Sequence, residues 1–220
     1  MVELLVVIGY LVLMGLLLFA NQISVGGIRF LGAKATLSSA FCVIAILMAW
    51  YQNHWSQLLV LLPALLACLA GDIVLGIYNR RRKRWLFVLG LILFLLAHLL
   101  FLYAFGNSSW QWQLGILPVV GSVGVVLLNL WPRMKLRWMT IPVVGYVLVV
   151  TLMVQKASQL WWFNQTLANG LLMVGSWMFL LSDALLLFLY FMHQPPKGLH
   201  STNLIMYYLA MLMIAMSIRY

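Results

Sequence analysis

Long apolar runs recur along the whole chain, separated by short stretches rich in Gly, Pro, Asn and basic residues. A run of roughly 17–25 apolar residues is enough to cross a ~30 Å hydrocarbon core as a helix. The pattern predicts eight spans, approximately 4–20, 34–50, 58–78, 85–105, 113–131, 138–155, 166–191 and 203–219. Gly26-Gly27, Asn107-Ser108-Ser109, Trp131-Pro132 and Gln194-Pro195-Pro196 mark turns between them. Pro63, Pro118 and Pro142 fall inside spans, where neighbouring helices re-satisfy the freed carbonyls. Residues 1–220 therefore read as a single polytopic membrane domain, an all-α bundle of eight transmembrane helices. Glu3, followed by an apolar run without a basic leader or a small-residue cleavage site, reads as the start of a retained first helix.

Composition agrees with that reading. The chain is 65% hydrophobic and 7% charged, whereas soluble domains are about half apolar and a quarter charged. A net charge of +10 raises the question of nucleic acid, but its placement answers it. Arg29 and Lys34, the Arg80–Arg84 run, Arg133 with Lys135 and Arg137, and Lys197 fall on alternate loops, and only Lys156 and Arg219 fall on the others. Basic residues in short inter-helix loops orient a bundle with those loops in the cytoplasm. Both termini then face outward, and the anionic neighbours are membrane lipids rather than nucleic acid. Trp55, Trp110, Trp112, Trp161 and Trp162 form the outer aromatic belt and Trp85, Trp131 and Trp138 the inner one. The expected location is a bacterial inner membrane, with multiple passes. Cys42 and Cys68 lie inside apolar segments and read as small buried hydrophobes, not as a disulfide or metal ligands.

Against this background two acids stand out. Asp72 and Asp183 lie deep in spans three and seven, and Glu3 is the only other carboxylate. An acid within a membrane span is costly and marks a substrate, ion or proton site. Each has a small neighbour, Gly71 and Ser182. At about 1.5 Å per residue, Asp72 lies ~12 Å from Arg80 and Asp183 a similar distance from Phe191, so both belong to the cytoplasmic half. Lys34, Tyr146, Tyr207 and Tyr208 reach the same layer. Lys34 can equally snorkel to the interface, the tyrosines can be belt residues, and Asn129 can be a packing hydrogen bond. His98 sits mid-span, either hydrogen-bonding a neighbouring helix or handling a proton beside an aspartate. His54, His193 and His200 fall in loops without metal-ligand spacing, so no metal is expected. No Gly-x-Ser-x-Gly occurs. The aspartates are either a polar clamp between helices or a general acid and general base converging on one cavity.

At these residues the chain resembles the YhhN-like membrane family, whose animal members are lysoplasmalogenases. The resemblance covers roughly 30–220. It rests on Ala70-Gly71-Asp72-Ile73-Val74-Leu75, Leu96-Ala97-His98-Leu99-Leu100-Phe101-Leu102-Tyr103, Leu181-Ser182-Asp183-Ala184-Leu185-Leu186 and Tyr207-Tyr208-Leu209-Ala210. It departs from the family pattern at Ala35, where Pro is usual after the lysine, and at Met211, where Gln is common. The resemblance implies cofactor-free hydrolysis of the vinyl ether bond of a lysoplasmalogen, giving a fatty aldehyde and a glycerophospho-headgroup. Asp72 and Asp183 would be the catalytic pair, with Lys34, His98, Tyr146, Ser182, Tyr207 and Tyr208 supporting them or binding substrate. The lysolipid would place its chain among the helices and its headgroup against the basic rim. A proton-coupled transporter is the main alternative class, since paired intramembrane acids also relay protons. A lipid-binding scaffold is the third.

Overall fold

An apolar segment in lipid must satisfy its backbone donors and acceptors internally, which favours helix. A computed structural model describes residues 2–106, 116–134 and 136–220. Among them the chain forms eight α-helices: α1 (Val2–Ile23), α2 (Ile28–Gln52), α3 (Trp55–Arg81), α4 (Arg84–Ala104), α5 (Ile116–Asn129), α6 (Thr140–Phe163), α7 (Leu167–Phe191) and α8 (Leu199–Met216). Seven are long and apolar enough to cross a membrane, and the chain is a multi-pass membrane protein. The eighth, α5, covers 14 described residues, and the first three residues of the expected span 113–131 lie outside the described residues. It stops at Asn129, ahead of the Trp131-Pro132 turn. The expected turn at Asn107–Ser109, the belt residues Trp110 and Trp112, and Lys135 lie outside the described residues.

Two boundaries change the chemistry. The α2 helix starts at Ile28, directly after Gly26-Gly27, so Lys34 lies nearly two turns inside it rather than at its mouth. The α6 helix runs on to Phe163, so Lys156 is a buried helical residue and not a loop charge. Pro142 occupies the first turn of α6, where a missing N–H breaks no helical bond. Pro63 is interior to its helix.

Packing relies on small residues where helices approach closely, as expected where apolar surface gives no drive for association. A Cβ on Gly90 of α4 would stand 2.5 Å from Leu75 Cδ2 of α3, and one on Gly71 would stand 2.9 Å from the Phe94 ring. On the far side Gly175 of α7 brings α8 close, with the Ala210 carbonyl 3.1 Å from its would-be Cβ. The outermost helix is α1, with Leu4, Leu5, Val12 and Leu16 more than half exposed to lipid. It is held by Tyr10, whose hydroxyl donates to the Tyr208 carbonyl at 2.9 Å, by Asn21 donating to Ser201 Oγ at 3.0 Å, and by the Glu3–Arg219 ion pair.

Contacts gather the basic loops at one end of the bundle. Gly26 lies against Asn79 and Arg80, the His193 amide donates to the Arg133 carbonyl at 3.0 Å, and Phe30 packs on His200. At the opposite end His54 Nδ1 donates to the Ile218 carbonyl at 2.8 Å, near the Glu3–Arg219 pair. With the charge so segregated, a reporter inserted after Arg84 is expected to read as cytoplasmic and one at Asn53 as exterior. Reversal at both positions would overturn the orientation.

Candidate functional site

Helical spacing sets Lys34 and Ser38 on one face of α2, a turn apart. That face meets Asp72 of α3. Lys34 Nζ lies 3.0 Å from Asp72 Oδ1, while Ser38 Oγ and Tyr207 OH each donate to Oδ2 at 2.7 Å. Tyr208 reaches the same cluster through its hydroxyl, 2.9 Å from Ser38 Oγ and 3.4 Å from the Lys34 carbonyl. All these residues are buried, Asp72 at 1% exposure. Every partner of the carboxyl is a donor, so the group acts here purely as an acceptor, ion-paired and doubly hydrogen-bonded.

Asp183 has a different shell. Tyr146 of α6 donates to its Oδ2 at 2.9 Å. His98 Nε2 of α4 lies 3.3 Å from the same oxygen, at ion-pair distance though outside hydrogen-bond alignment. The other ring nitrogen, Nδ1, is 2.6 Å from the Phe94 carbonyl. A carbonyl only accepts, so Nδ1 carries a proton and Nε2 is the ring nitrogen turned towards Asp183. The orientation of the imidazole is thus imposed by its own helix, one turn back. Phe179, with its ring centroid 4.6 Å from that of His98, closes the other side.

The two clusters are separated by an aromatic layer. Tyr207, bonded to Asp72, packs edge-on to Phe94 and Phe179 at 5.8 and 5.3 Å, and Phe179 in turn packs on His98. A cavity of about 280 Å³ between α4, α5, α6 and α7 has Asp183 and Tyr146 in its wall, with Phe94 beside them and otherwise almost wholly apolar side chains. Asp72 is not part of that wall. The expected convergence of both carboxyls on one cavity therefore takes another form: Asp183 faces the cavity and Asp72 lies behind the aromatic layer.

The profile of the YhhN family matches residues 31–218. The chain belongs to the YhhN family. No curated protein and no solved structure matches this sequence. The family region takes in both clusters and leaves α1 outside, so Tyr10 adds to a YhhN core from beyond the matched residues.

Within that YhhN core the structure brings Lys34, Tyr207 and Tyr208 to Asp72, and His98 and Tyr146 to Asp183. Lys34 does not snorkel; it is buried at 7% exposure in its ion pair. Ser182 faces away from both, in the seam between α7 and α8, where Asn203 Nδ2 donates to its carbonyl at 2.7 Å and its Oγ at 3.0 Å. Its adjacency to Asp183 in sequence puts it on a different face of α7, about 100° around the helix. Ser38 is the residue that sequence reasoning missed. Its signal was the Lys34-to-Ser38 spacing, which stacks the two side chains on one helical face.

Proposed function

We propose that this YhhN protein hydrolyses the vinyl ether bond of a lysoplasmalogen or a closely related ether lysolipid. The observation that carries the reading is the Asp183–His98 pair at the wall of an apolar cavity. With Nδ1 committed to the Phe94 carbonyl, a bare Nε2 and an ionised carboxyl would face each other as two acceptors, so one proton belongs to the pair. A proton held on the carboxyl next to an almost wholly apolar cavity suits a reaction that begins with protonation of an alkene.

In this reading Asp183 delivers the proton to the alkenyl carbon β to the ether oxygen, leaving an oxocarbenium cation beside the carboxylate just formed. That carboxylate stabilises the cation and takes a proton from the attacking water. The resulting hemiacetal collapses to a fatty aldehyde and a free glycerol hydroxyl, so one water is consumed and the proton returns to the Asp183–His98 pair. Tyr146 holds the carboxyl in place by its 2.9 Å hydrogen bond. Asp72 is the second member of the pair as a positioning residue: with Lys34, Ser38 and Tyr207 it ties α2, α3 and α8 together and seats Tyr207 against Phe94 and Phe179.

The test is release of free aldehyde from 1-alkenyl-lysophosphatidylethanolamine by purified protein in detergent, followed with an aldehyde dehydrogenase couple. Steady release is expected, and the saturated alkyl analogue should give none. Proton-linked flux in vesicles without aldehyde would replace the hydrolase with the transporter class, which uses the same shared proton.

A further inference from the structure

The cavity beside Asp183 does not end within the bundle. A second cavity of about 360 Å³ lies towards the basic end, lined by Arg84, Trp138 and Tyr78 among others. The two share Phe87, Tyr190 and Phe191. Phe87 and Tyr190 stand with ring centroids 4.8 Å apart, and Tyr190 is anchored by its hydroxyl to Asn79 Oδ1 at 3.3 Å. The packed Phe87 and Tyr190 rings are thus a common wall between a compartment with a guanidinium in its lining and an apolar one with a carboxyl in its lining.

We infer that these adjoining cavities together form a binding slot for one single-chain lipid, with its phosphate at Arg84, its glycerol beside the shared Phe87–Tyr190–Phe191 wall and its hydrocarbon chain running inward past Asp183. The inference rests on the ether-lipid reading for the identity of the headgroup and the position of the reacting bond. Its polarity follows from the walls. Among the described residues Arg84, at the start of α4, is the cation lining these cavities, and an arginine fork suits phosphate. At about 1.5 Å per residue, Asp183 lies ~12 Å inward of Phe191 along α7, which is the depth of the first chain carbons when the phosphate sits at the helix end. Beyond Asp183 the apolar cavity continues to Leu117 and Thr151, giving the chain somewhere to go.

Gly124 of α5 sets the width of the chain compartment. It lines the cavity, and a Cβ built on it meets nothing within 4 Å. A larger side chain there would therefore enter the space the lipid uses rather than disturb a packed helix. Gly121, one turn away, differs: its Cβ would meet Val147 at 2.9 Å, so it serves the α5–α6 contact.

The experiment measures equilibrium binding of radiolabelled, non-hydrolysable 1-O-alkyl-lysophosphatidylethanolamines with dodecyl and octadecyl chains to purified full-length protein. Arg84→Gln is expected to weaken both about tenfold, the loss of one charge-assisted phosphate contact, and to leave an alkylglycerol without phosphate unaffected. Gly124→Leu is expected to weaken the octadecyl lipid about tenfold or more while sparing the dodecyl one. In Gly124→Cys, bound octadecyl lipid should protect the new thiol from a membrane-permeant maleimide. An octadecyl affinity unchanged by Gly124→Leu, no protection of the cysteine, or an Arg84→Gln variant that binds phosphate lipids normally overturns the slot. Turnover separates the two readings: chain-selective binding by a protein that never releases aldehyde from the alkenyl lipid sinks the hydrolase and keeps the slot, whereas aldehyde release blind to these substitutions sinks the slot and keeps the hydrolase.

Discussion

Asp183→Asn should lower aldehyde release by at least ~10²-fold, the usual worth of a positioned general acid or base. The amide keeps the size of the carboxyl and still accepts from Tyr146, so the Tyr146 contact at 2.9 Å survives. It cannot hold the proton that the Asp183–His98 pair shares. A neutral amide is also better tolerated in a membrane than a charge, so yield and thermal stability should hold or improve. His98→Gln should fall between the two, because Asp183 keeps its place on the cavity wall but loses the partner at 3.3 Å. An Asp183→Asn protein that turns over lysoplasmalogen at a near-normal rate would remove the acid–base assignment altogether.

Asp72→Asn should behave in the opposite manner and damage folding first. It strands Lys34, a buried cation whose Nζ now lies 3.0 Å from Asp72 Oδ1. Removing one partner of a buried ion pair costs about 3–5 kcal/mol, whereas replacing both by neutral groups of similar volume is often harmless. The double variant Lys34→Met with Asp72→Asn should therefore recover most of the lost thermal stability, and that recovery is the measurement that identifies the pair. Activity in the rescued protein then defines the role of Asp72. A fall in kcat at little-changed KM is the expected signature of a positioning residue behind the aromatic layer. Full activity in the rescued double variant would reduce the cluster to a helix clamp.

The helices were legible because each apolar run is about as long as a bilayer is thick, and the polar outliers were legible because so few acids occur. What hydropathy does not contain is which helix faces which. His98 counts ~20 Å from the cytoplasmic end of its span, which sets it deeper than either aspartate at about 1.5 Å per residue. It nevertheless meets Asp183, because Phe191 at the end of α7 packs against Phe87 and not against the start of α4. That offset of about one turn removes roughly half of the difference in depth at about 1.5 Å per residue, and the side chains span the rest. Lys34 was misplaced for a different reason: its own charge interrupts the apolar run, so the span read from hydropathy began where the cation sits, and the six residues before it were assigned to a loop. Ser182 shows the limit of adjacency, since neighbours in sequence diverge on a helix and it turned to Asn203 in the α7–α8 seam. The aromatic layer of Phe94 and Phe179 could not be foreseen at all, because apolar rings in an apolar segment carry no local signal.

Lys34 and Asp72 stand on consecutive helices joined only by Asn53 and His54, with Asn53 in the left-handed conformation that permits so short a turn. During synthesis α2 therefore reaches the membrane carrying a cation whose partner follows on the very next segment. Each charge alone would cost ~2.5–3.5 kcal/mol on insertion scales, but a hairpin that enters as a unit brings a neutral pair. Tyr207 and Tyr208 arrive only with α8, which leaves the ribosome after α2 to α7, and it is they that seal the cluster. The ion pair is then an early tether and the hydroxyl shell a late lock, so a chain stalled before α8 would hold its charges paired while lacking Tyr207, the link to the aromatic layer.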